Sequence, residues 1–157
     1  MIVAAAIKSL FENIIFLSTA SSLLISQLMK MIIFVLTHRN RKARETLETA
    51  IWRTGGMPSS HSAVVCSLTT SVGFTEGTSS NLFVFCLVFA MIVLRDALGV
   101  RRSAGLQAKA LNNLGKITAE KLGIEFHAVK EIQGHTPLEV LVGAFLGIFI
   151  AAGFSLL

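Results

Sequence analysis

Charge is scarce in this sequence. Only 15% of its 157 residues are charged, whereas 53% are hydrophobic and the mean hydropathy is +0.70. Soluble domains carry about 25% charged residues, and a water-soluble fold of this length could not cover so much apolar surface. Long apolar runs are typical of chains that have the lipid bilayer as their solvent. The composition therefore predicts one integral membrane domain that comprises residues 1–157.

Cysteine is also rare. Cys66 and Cys86 each lie within an apolar stretch, with no CxxC or histidine-rich spacing around them. Both are interpreted as small packing residues rather than as a disulfide or a metal site. A cleaved signal peptide is not expected, because the first long apolar pattern continues to Leu36, beyond an h-region of about 7–15 residues. We interpret this stretch as a retained membrane helix.

Four apolar segments predict an all-α integral membrane helical bundle. The expected membrane helices lie at about 14–36, 62–76, 82–98 and 137–157, with loops at about 38–57 and 99–136. The second and third segments are short for a span of about 20 residues. They could form a helical hairpin that extends into its polar flanks, or one that crosses only partly. Two rows of small residues predict close helix packing: Ser18, Ser22 and Ser26, and Gly143, Gly147 and Ala151.

Both predicted loops are basic. The net charge of +5 and pI near 9.7 could indicate a nucleic-acid partner, but the bases lie between apolar segments, where membrane orientation explains them more simply. By the positive-inside rule both loops are cytoplasmic and both termini lie outside. We expect a bacterial inner membrane or an organelle membrane, with lipids and no nucleic acid as partners. The bases are Arg39, Arg41, Lys42, Arg44 and Arg53 in the first loop, and Arg101, Arg102, Lys109, Lys116, Lys121 and Lys130 in the second.

The second loop contains an amphipathic pattern. Leu106, Ala110, Leu114 and Ile117 recur at spacings of four, four and three. This periodicity indicates a helix with one apolar side. Such a helix could lie on the membrane surface or pack on its neighbours, and the sequence favours neither. We expect an amphipathic cytoplasmic insertion in the bundle.

The first polar constellation precedes the second apolar segment. It reads Gly55-Gly56-Met57-Pro58-Ser59-Ser60-His61-Ser62. Proline is favoured in a first helical turn and serine is a good N-cap, and the glycines allow tight backbone geometry. The free N–H groups of such a helix start form an anion site, which His61 would face. An ordinary capped helix start that happens to contain a histidine is an equal alternative.

The second constellation opens the last apolar segment. His135 and Glu139 are four residues apart, so a helix would place them on one side. A carboxylate that binds one ring nitrogen fixes the tautomer and makes the other nitrogen more basic, as a nucleophilic or general-base histidine requires. An ionisable residue at the start of a membrane helix is costly and usually functional. The alternative is a pair that only anchors the helix at the interface.

A third constellation surrounds Asp96, the only aspartate in the chain. Arg95 and Asp96 could pair with each other or with neighbouring helices, while Arg101 and Arg102 could clamp a phosphate, since guanidinium donors match phosphate oxygens. Each arginine alone is more typical of a topology anchor. Within the first helix, Lys30 could reach the interface, pair with Glu139 or contact the phosphate.

These segments resemble the type-2 phosphatidic acid phosphatase superfamily, which includes the vanadium-dependent haloperoxidases, and more closely its small divergent branch. The resemblance covers nearly the whole chain and is carried by GGMPSSHSA, DALGVRRSAG and GHTPLEV. The superfamily's Pro-Ser-Gly-His motif is matched by Pro58-Ser59-Ser60-His61, with Ser60 in place of glycine. Its final His and Asp are matched by His135 and Glu139, and its arginine by Arg101 or Arg102. Its first motif has no clean counterpart, for which Lys30, Arg39 and Arg53 are candidates.

The resemblance implies a metal-independent hydrolase without a cofactor. His135 would attack phosphorus to form a phosphohistidine, oriented by Glu139, and His61 would protonate the leaving oxygen. The expected substrate is a lipid phosphate or a similar phosphomonoester or pyrophosphate. The alternative is a non-catalytic membrane protein that binds or moves a phosphorylated lipid, and a homodimer is compatible with so thin a bundle. The expected phosphate-binding residues are Ser59, Ser60, Arg101, Arg102, Lys30 and Arg53, with Asp96, Arg95, Gly55 and Gly56 as supports.

Overall fold

Six helices make up the part of the chain that the computed structural model describes, residues 2–37, 56–131 and 134–156, in which no strand occurs. Three stretches are long and apolar enough to cross a membrane: α2, α6 and the helical run Asn81–Leu122, which contains α4. The predicted all-α membrane helical bundle is confirmed. In chain order the helices are α1 (Ile2–Glu12), α2 (Ile14–Thr37), α3 (Ser60–Glu76), α4 (Asn81–Leu98), α5 (Val100–Leu122) and α6 (Pro137–Leu156).

Helix α3 lies at the centre of the bundle, in contact with α2, α4 and α6. Its 17 residues rise about 26 Å at 1.5 Å per residue, less than the roughly 30 Å of a bilayer core. Because three other helices pack around it, α3 can carry many hydroxyl groups within an otherwise apolar bundle. Its buried side chains are correspondingly small: Ser60, Ser62, Ala63, Val65, Ser67, Thr69, Ser71 and Val72.

The contact between α2 and α3 is made largely by serines. The predicted row Ser18, Ser22 and Ser26 is fully buried. The hydroxyls of Ser18 and Ser71 lie 2.5 Å apart, and Lys30 near the other end of α2 contacts Ser60 at the start of α3. The two helices therefore run antiparallel. Small side chains let their backbones approach closely, which is how helices associate where lipid offers no hydrophobic driving force.

The contact between α3 and α6 is closer still. Gly143 and Gly147 lie against the backbone of the first turns of α3, so that a Cβ atom on either glycine would overlap the carbonyl oxygen of Ser59 or Ala63. Ala151 continues the same buried row. The small-residue row predicted on the last helix is thus the surface on which α3 packs.

Cys86 lies at the contact between α3 and α4. Thr69 donates its hydroxyl proton to the carbonyl oxygen of Val65 at 2.8 Å and lies 3.2 Å from the carbonyl oxygen of Cys86. Cys86 is buried and Cys66 is half-buried, and both are free thiols. Their surroundings agree with the interpretation as packing residues.

Two helices lie outside the central bundle. The short helix α1 precedes the predicted first membrane helix, was not predicted from the sequence, and contacts only α2 among the described helices. Helix α5 occupies much of the stretch predicted as a loop at about 99–136, is longer than the amphipathic pattern seen in the sequence, and contacts only α4 among the described helices. The preceding loop at about 38–57 lies, up to residue 55, outside the described residues.

Replacing Gly147 by alanine is expected to destabilise the bundle, because the added methyl group would push the Ala63 carbonyl away and separate α3 from α6. Overpacking of this kind costs about 1–3 kcal/mol. The measurement is the midpoint of thermal unfolding in detergent. Gly153→Ala on the same helix is the matched control, since nothing lies within 4 Å of its Cβ position. Equal midpoints for the two variants would contradict the close backbone contact.

Candidate phosphate-binding site

The start of α3 is built on a capped turn. Gly56 has φ +93°, and the Met57–Pro58 peptide bond is cis. Ser59 is the N-cap, and its hydroxyl oxygen accepts from the Ser62 amide at 3.4 Å and from the Ser62 hydroxyl at 2.9 Å. Pro58 therefore precedes the cap instead of standing in the first helical turn as expected, because the Ser59 side chain takes the capping position.

Ser59 joins α3 to α6. It is fully buried, and its backbone N–H donates to the carbonyl oxygen of Glu139 at 3.0 Å. Its hydroxyl is occupied by Ser62. Of the two serines predicted to contact phosphate, Ser59 thus holds the two helix starts together, and Ser60 is left to interact within the site.

Ser60 receives the ammonium group of Lys30. The Lys30 Nζ donates to the Ser60 Oγ at 3.1 Å, and the lysine stem passes the position that a Cβ on Gly56 would occupy, at 3.9 Å. Lys30 is also close enough to Glu139 for the two charges to interact. Of the three roles open to Lys30 in the sequence, the structure shows a position at the start of α3, beside both Ser60 and the carboxylate.

His61 lies where the charged residues of four elements converge. Its side chain is exposed and within electrostatic range of Arg101, His135, Lys30 and Asp96. These residues come from α5, the segment before α6, α2 and α4. The sequence places them far apart, and the packing of α3 against α2 and α6 brings them to one end of the bundle.

His135 and Glu139 are in contact, but not for the reason the spacing indicated. The His135 Nδ1 lies 3.3 Å from the Glu139 Oε2. His135 precedes α6, which begins at Pro137, so the two do not share a helix face. Instead the Thr136 amide donates to the Glu139 Oε2 at 2.9 Å, and the Glu139 amide donates to the Thr136 Oγ1 at 3.4 Å. This reciprocal pair is a capping box, which aims the carboxylate back at the histidine.

Thr136 is the site residue that sequence reasoning missed. The signal was available, because a threonine followed three residues later by a glutamate ahead of an apolar run is the capping-box pattern. The His135 side chain is 11% exposed and that of Glu139 is 20% exposed. The pair is therefore shielded from water, while His61 opposite it remains open.

Arg101 pairs with Asp96. The Arg101 Nε donates to the Asp96 Oδ2 at 2.7 Å, with both side chains partly exposed. Because one guanidinium has five N–H donors, this bond leaves the two terminal nitrogens able to bind an anion. Of the two predicted arginines, Arg101 is the one in electrostatic range of His61.

The surroundings of Arg102 and Arg95 differ from those of Arg101. Gly134 packs so closely on the backbone of Arg102 that a Cβ atom there would overlap it, so the backbone of Arg102 supports the segment that carries His135 while its side chain is exposed. Arg95 is exposed on the side of α4 opposite the buried Cys86, Ala90 and Ala97. The structure does not bring Arg95 to the cluster, and Asp96 pairs with Arg101 instead.

The members brought together are therefore Lys30, Ser60, His61, Asp96, Arg101, His135 and Glu139. We refer to them as the polar cluster. Gly56 flanks it and Ser59 supports it, whereas Arg53 and Gly55 lie outside the described residues. The chemical content of the cluster is a shielded histidine paired with a carboxylate, a second, open histidine, and two basic side chains, Lys30 and Arg101. This combination suits an anion with several oxygens that must be bound and protonated.

Comparison with known proteins identifies the family of the chain. Residues 11–150 match the Divergent PAP2 family. The chain is 37% identical over 152 residues to the Bacillus subtilis (strain 168) protein named "Uncharacterized membrane protein YuiD", an alignment that covers 90% of this chain and 93% of that protein. No solved structure matches the chain. The resemblance carried by the histidine motifs is thereby confirmed, and the chain belongs to the Divergent PAP2 family.

Proposed function

We propose that this protein is a membrane phosphatase that hydrolyses a lipid phosphate, or a similar phosphomonoester or pyrophosphate, through a phosphohistidine. The single observation that carries the proposal is the shielded contact between His135 and Glu139 at 3.3 Å, with His61 in electrostatic range of that histidine. The membership of the family supports a relationship to phosphatases. The cluster supplies each role that the reaction needs.

In the first step, the lone pair on the His135 Nε2 forms a bond to phosphorus. The Glu139 carboxylate accepts a hydrogen bond from the His135 Nδ1–H and so fixes the tautomer that leaves Nε2 free. The bond from phosphorus to the leaving oxygen breaks, and that oxygen takes its electron pair and a proton from His61. In the second step His61 removes a proton from water, the water oxygen attacks phosphorus, and the N–P bond breaks to return a free His135.

The phosphoryl oxygens would be held by cations and a hydroxyl. Lys30 and Ser60 approach from α2 and α3, and Arg101 from the start of α5. The contact with Ser60 positions Lys30, and the contact with Asp96 positions Arg101, before substrate binds. Little reorganisation is therefore needed as charge develops on the phosphoryl oxygens. Arg102 and Arg53 remain further candidates for this role.

A second function has support from Ser60. The superfamily motif has glycine at this position, whereas here a hydroxyl group lies at 3.1 Å from the Lys30 ammonium. The extra side chain would crowd a bound phosphate, and such crowding would favour binding over turnover and make the protein a non-catalytic binder or carrier of a phosphorylated lipid. We further propose, from the basic loops, that the cluster faces the cytoplasm with both termini outside.

Turnover and its dependence on the two histidines form the main test. The purified protein in detergent is expected to release phosphate from phosphatidic acid with chelator present, and orthovanadate should inhibit the release. His135→Ala should lower kcat by about a thousandfold or more, since the nucleophile is lost, and His61→Ala by about a hundredfold or more, since the acid is lost.

The control for these variants is His127→Ala, which removes an exposed histidine outside the cluster. It should retain full activity. Full turnover by His135→Ala would overturn the phosphohistidine, whereas phosphatidic acid binding that depends on Arg101, without any phosphate release, would select the carrier function.

The charge of Glu139 can be separated from its capping role. Glu139→Gln retains an oxygen that accepts from the Thr136 amide, so stability should be nearly unchanged, while kcat should fall by about a hundredfold or more because the histidine tautomer is no longer held. Glu139→Ala should also lose about 1 kcal/mol of stability with the cap. Unfolding midpoints and single-turnover rates measure the two effects. A Gln variant with unchanged kcat would remove the carboxylate from the mechanism.

Two arginines near one another in sequence provide a matched pair for substrate binding. Arg101→Ala should raise KM by about tenfold or more, because a charge-assisted hydrogen bond to phosphate is worth about 1.5–3 kcal/mol. Arg95→Ala removes an equally basic, exposed side chain on the far side of α4 and should leave KM unchanged. Steady-state kinetics on mixed micelles measures both, and equal KM values for the two variants would exclude Arg101 from the site.

A further inference from the structure

Helix α5 has one side that the rest of the chain covers. The Asn112 side chain, 4% exposed, donates to the Val129 carbonyl oxygen and accepts from the Val129 amide, each at 2.9 Å. The Phe126 ring lies so close to Gly115 that a Cβ atom there would overlap it. Residues 123–131 therefore run back along α5 on the side of Asn112 and Gly115. We call residues 123–131 the return segment.

A second side of α5 is apolar and uncovered. Five large side chains occupy an arc of about 160° at 100° per residue, and they are 52–66% exposed. Among the described helices α5 contacts only α4, at their junction, so no helix of the described chain packs on this arc. We call it the apolar side of α5; its members are Leu106, Leu111, Leu114, Ile117 and Leu122. The polar residues Ser103, Gln107 and Thr118 also fall within this arc, together with Lys121, whose long stem can carry its ammonium group out to the headgroups. Lys109, Asn113, Lys116 and Glu120 lie on the arc between Asn112 and Leu106.

The position of α5 along the chain puts it at the bilayer boundary. Only Gly99 separates it from α4, the apolar helix that ends at Leu98. Gly99 has φ −105° and ψ −84°, away from the helical values near −63° and −42°, so the regular helix is interrupted where the apolar segment ends. By residue 134 the chain has returned to the first turn of α5, because Gly134 packs on the backbone of Arg102.

The charge of α5 indicates what the apolar side would meet. The helix carries five basic residues and a single acidic one, Glu120. Basic residues near a membrane surface are attracted to anionic lipids, and an amphipathic helix with a basic polar side is typical of segments that lie in the interface. The preceding helix α4 also exposes large apolar side chains, such as Phe85, Met91 and Ile92, which require lipid as their surroundings.

We propose that α5 docks on the surface of the bilayer, with its apolar side inserted among anionic lipids and the return segment on its outer side. The docked helix would hold both ends of the insertion at the membrane surface. One end carries Arg101 and the other ends at His135, so docking fixes two members of the polar cluster relative to each other. Only this last consequence rests on the proposed phosphatase function.

The experiment places a fluorescent reporter on each side of α5 in the full-length chain. Leu114→Trp puts an indole on the apolar side, and Asn113→Trp is the matched control one residue away, on the polar arc. Each is reconstituted in vesicles of phosphatidylcholine and phosphatidylglycerol, with and without brominated acyl chains. Subtracting the signal of the parent chain, which keeps Trp52, isolates the added indole.

Docking predicts that Leu114→Trp loses most of its added fluorescence to brominated lipid, whereas Asn113→Trp keeps most of it. Leu111→Trp, on the same apolar side, provides a second reporter should the first variant fail to fold. Omitting phosphatidylglycerol should reduce the quenching on the apolar side.

Equal, weak quenching of both positions would overturn the proposal. So would an indole at Leu114 that lipid does not quench and whose emission changes with the protein-to-lipid ratio, because that result indicates contact between copies of the chain. Since fluorescence reports on α5 whether or not phosphate is released, failure here is distinguishable from failure of the proposed phosphatase activity.

Discussion

The close approach of α3 and α6 is the constraint on which the rest of the structure depends. Gly143 and Gly147 admit the backbone of α3 so closely that no side chain fits between the helices, and the Ser59 amide then donates to the Glu139 carbonyl oxygen. Both helix starts are fixed at one level of the bundle by this contact. His61 follows one start and His135 precedes the other, so their proximity is a consequence of glycine spacing.

The polar cluster shows how charge is kept at the end of a membrane bundle. The cluster brings two bases, Lys30 and Arg101, and two histidines close to the acids Asp96 and Glu139. Each acid already has a partner, Arg101 for Asp96 and His135 for Glu139. The Glu139 carboxylate accepts from the Thr136 amide as well, so one side chain caps α6 and orients a histidine. Lys30 and Arg101 balance Asp96 and Glu139 in charge, so binding of a phosphate would depend on the N–H donors that Lys30 and Arg101 still have free.

The insertion between α4 and α6 completes the cluster from outside the bundle. Asn112 and Gly115 bind the return segment to α5, and Gly134 then meets the backbone of Arg102. The ends of an insertion of more than thirty residues are thereby held next to each other. The contact of Gly134 with Arg102 brings Arg101 and His135 close together, although more than thirty residues separate them in the sequence.

Hydropathy by itself determined the membrane bundle, because a bilayer accepts only backbones whose hydrogen bonds are satisfied internally, and helices do this locally. The small-residue rows of α2 and α6 and the motifs around His61 and His135 could also be identified from the sequence, because each depends on spacing within one segment. The short helix α1 was not predicted, and the contact of His135 with Glu139 was predicted for the wrong geometry, because a cap and not a helix face produces it. Only the tertiary structure decided that Lys30 donates to Ser60 and that Asp96 pairs with Arg101 and not with Arg95. It also decided that the backbone of Arg102 packs against Gly134, next to His135. Lys30 and Ser60 lie far apart in the sequence, as do Arg102 and Gly134, and the Asp96–Arg101 pair depends on how the backbone runs through Gly99 between α4 and α5. No local periodicity encodes these contacts.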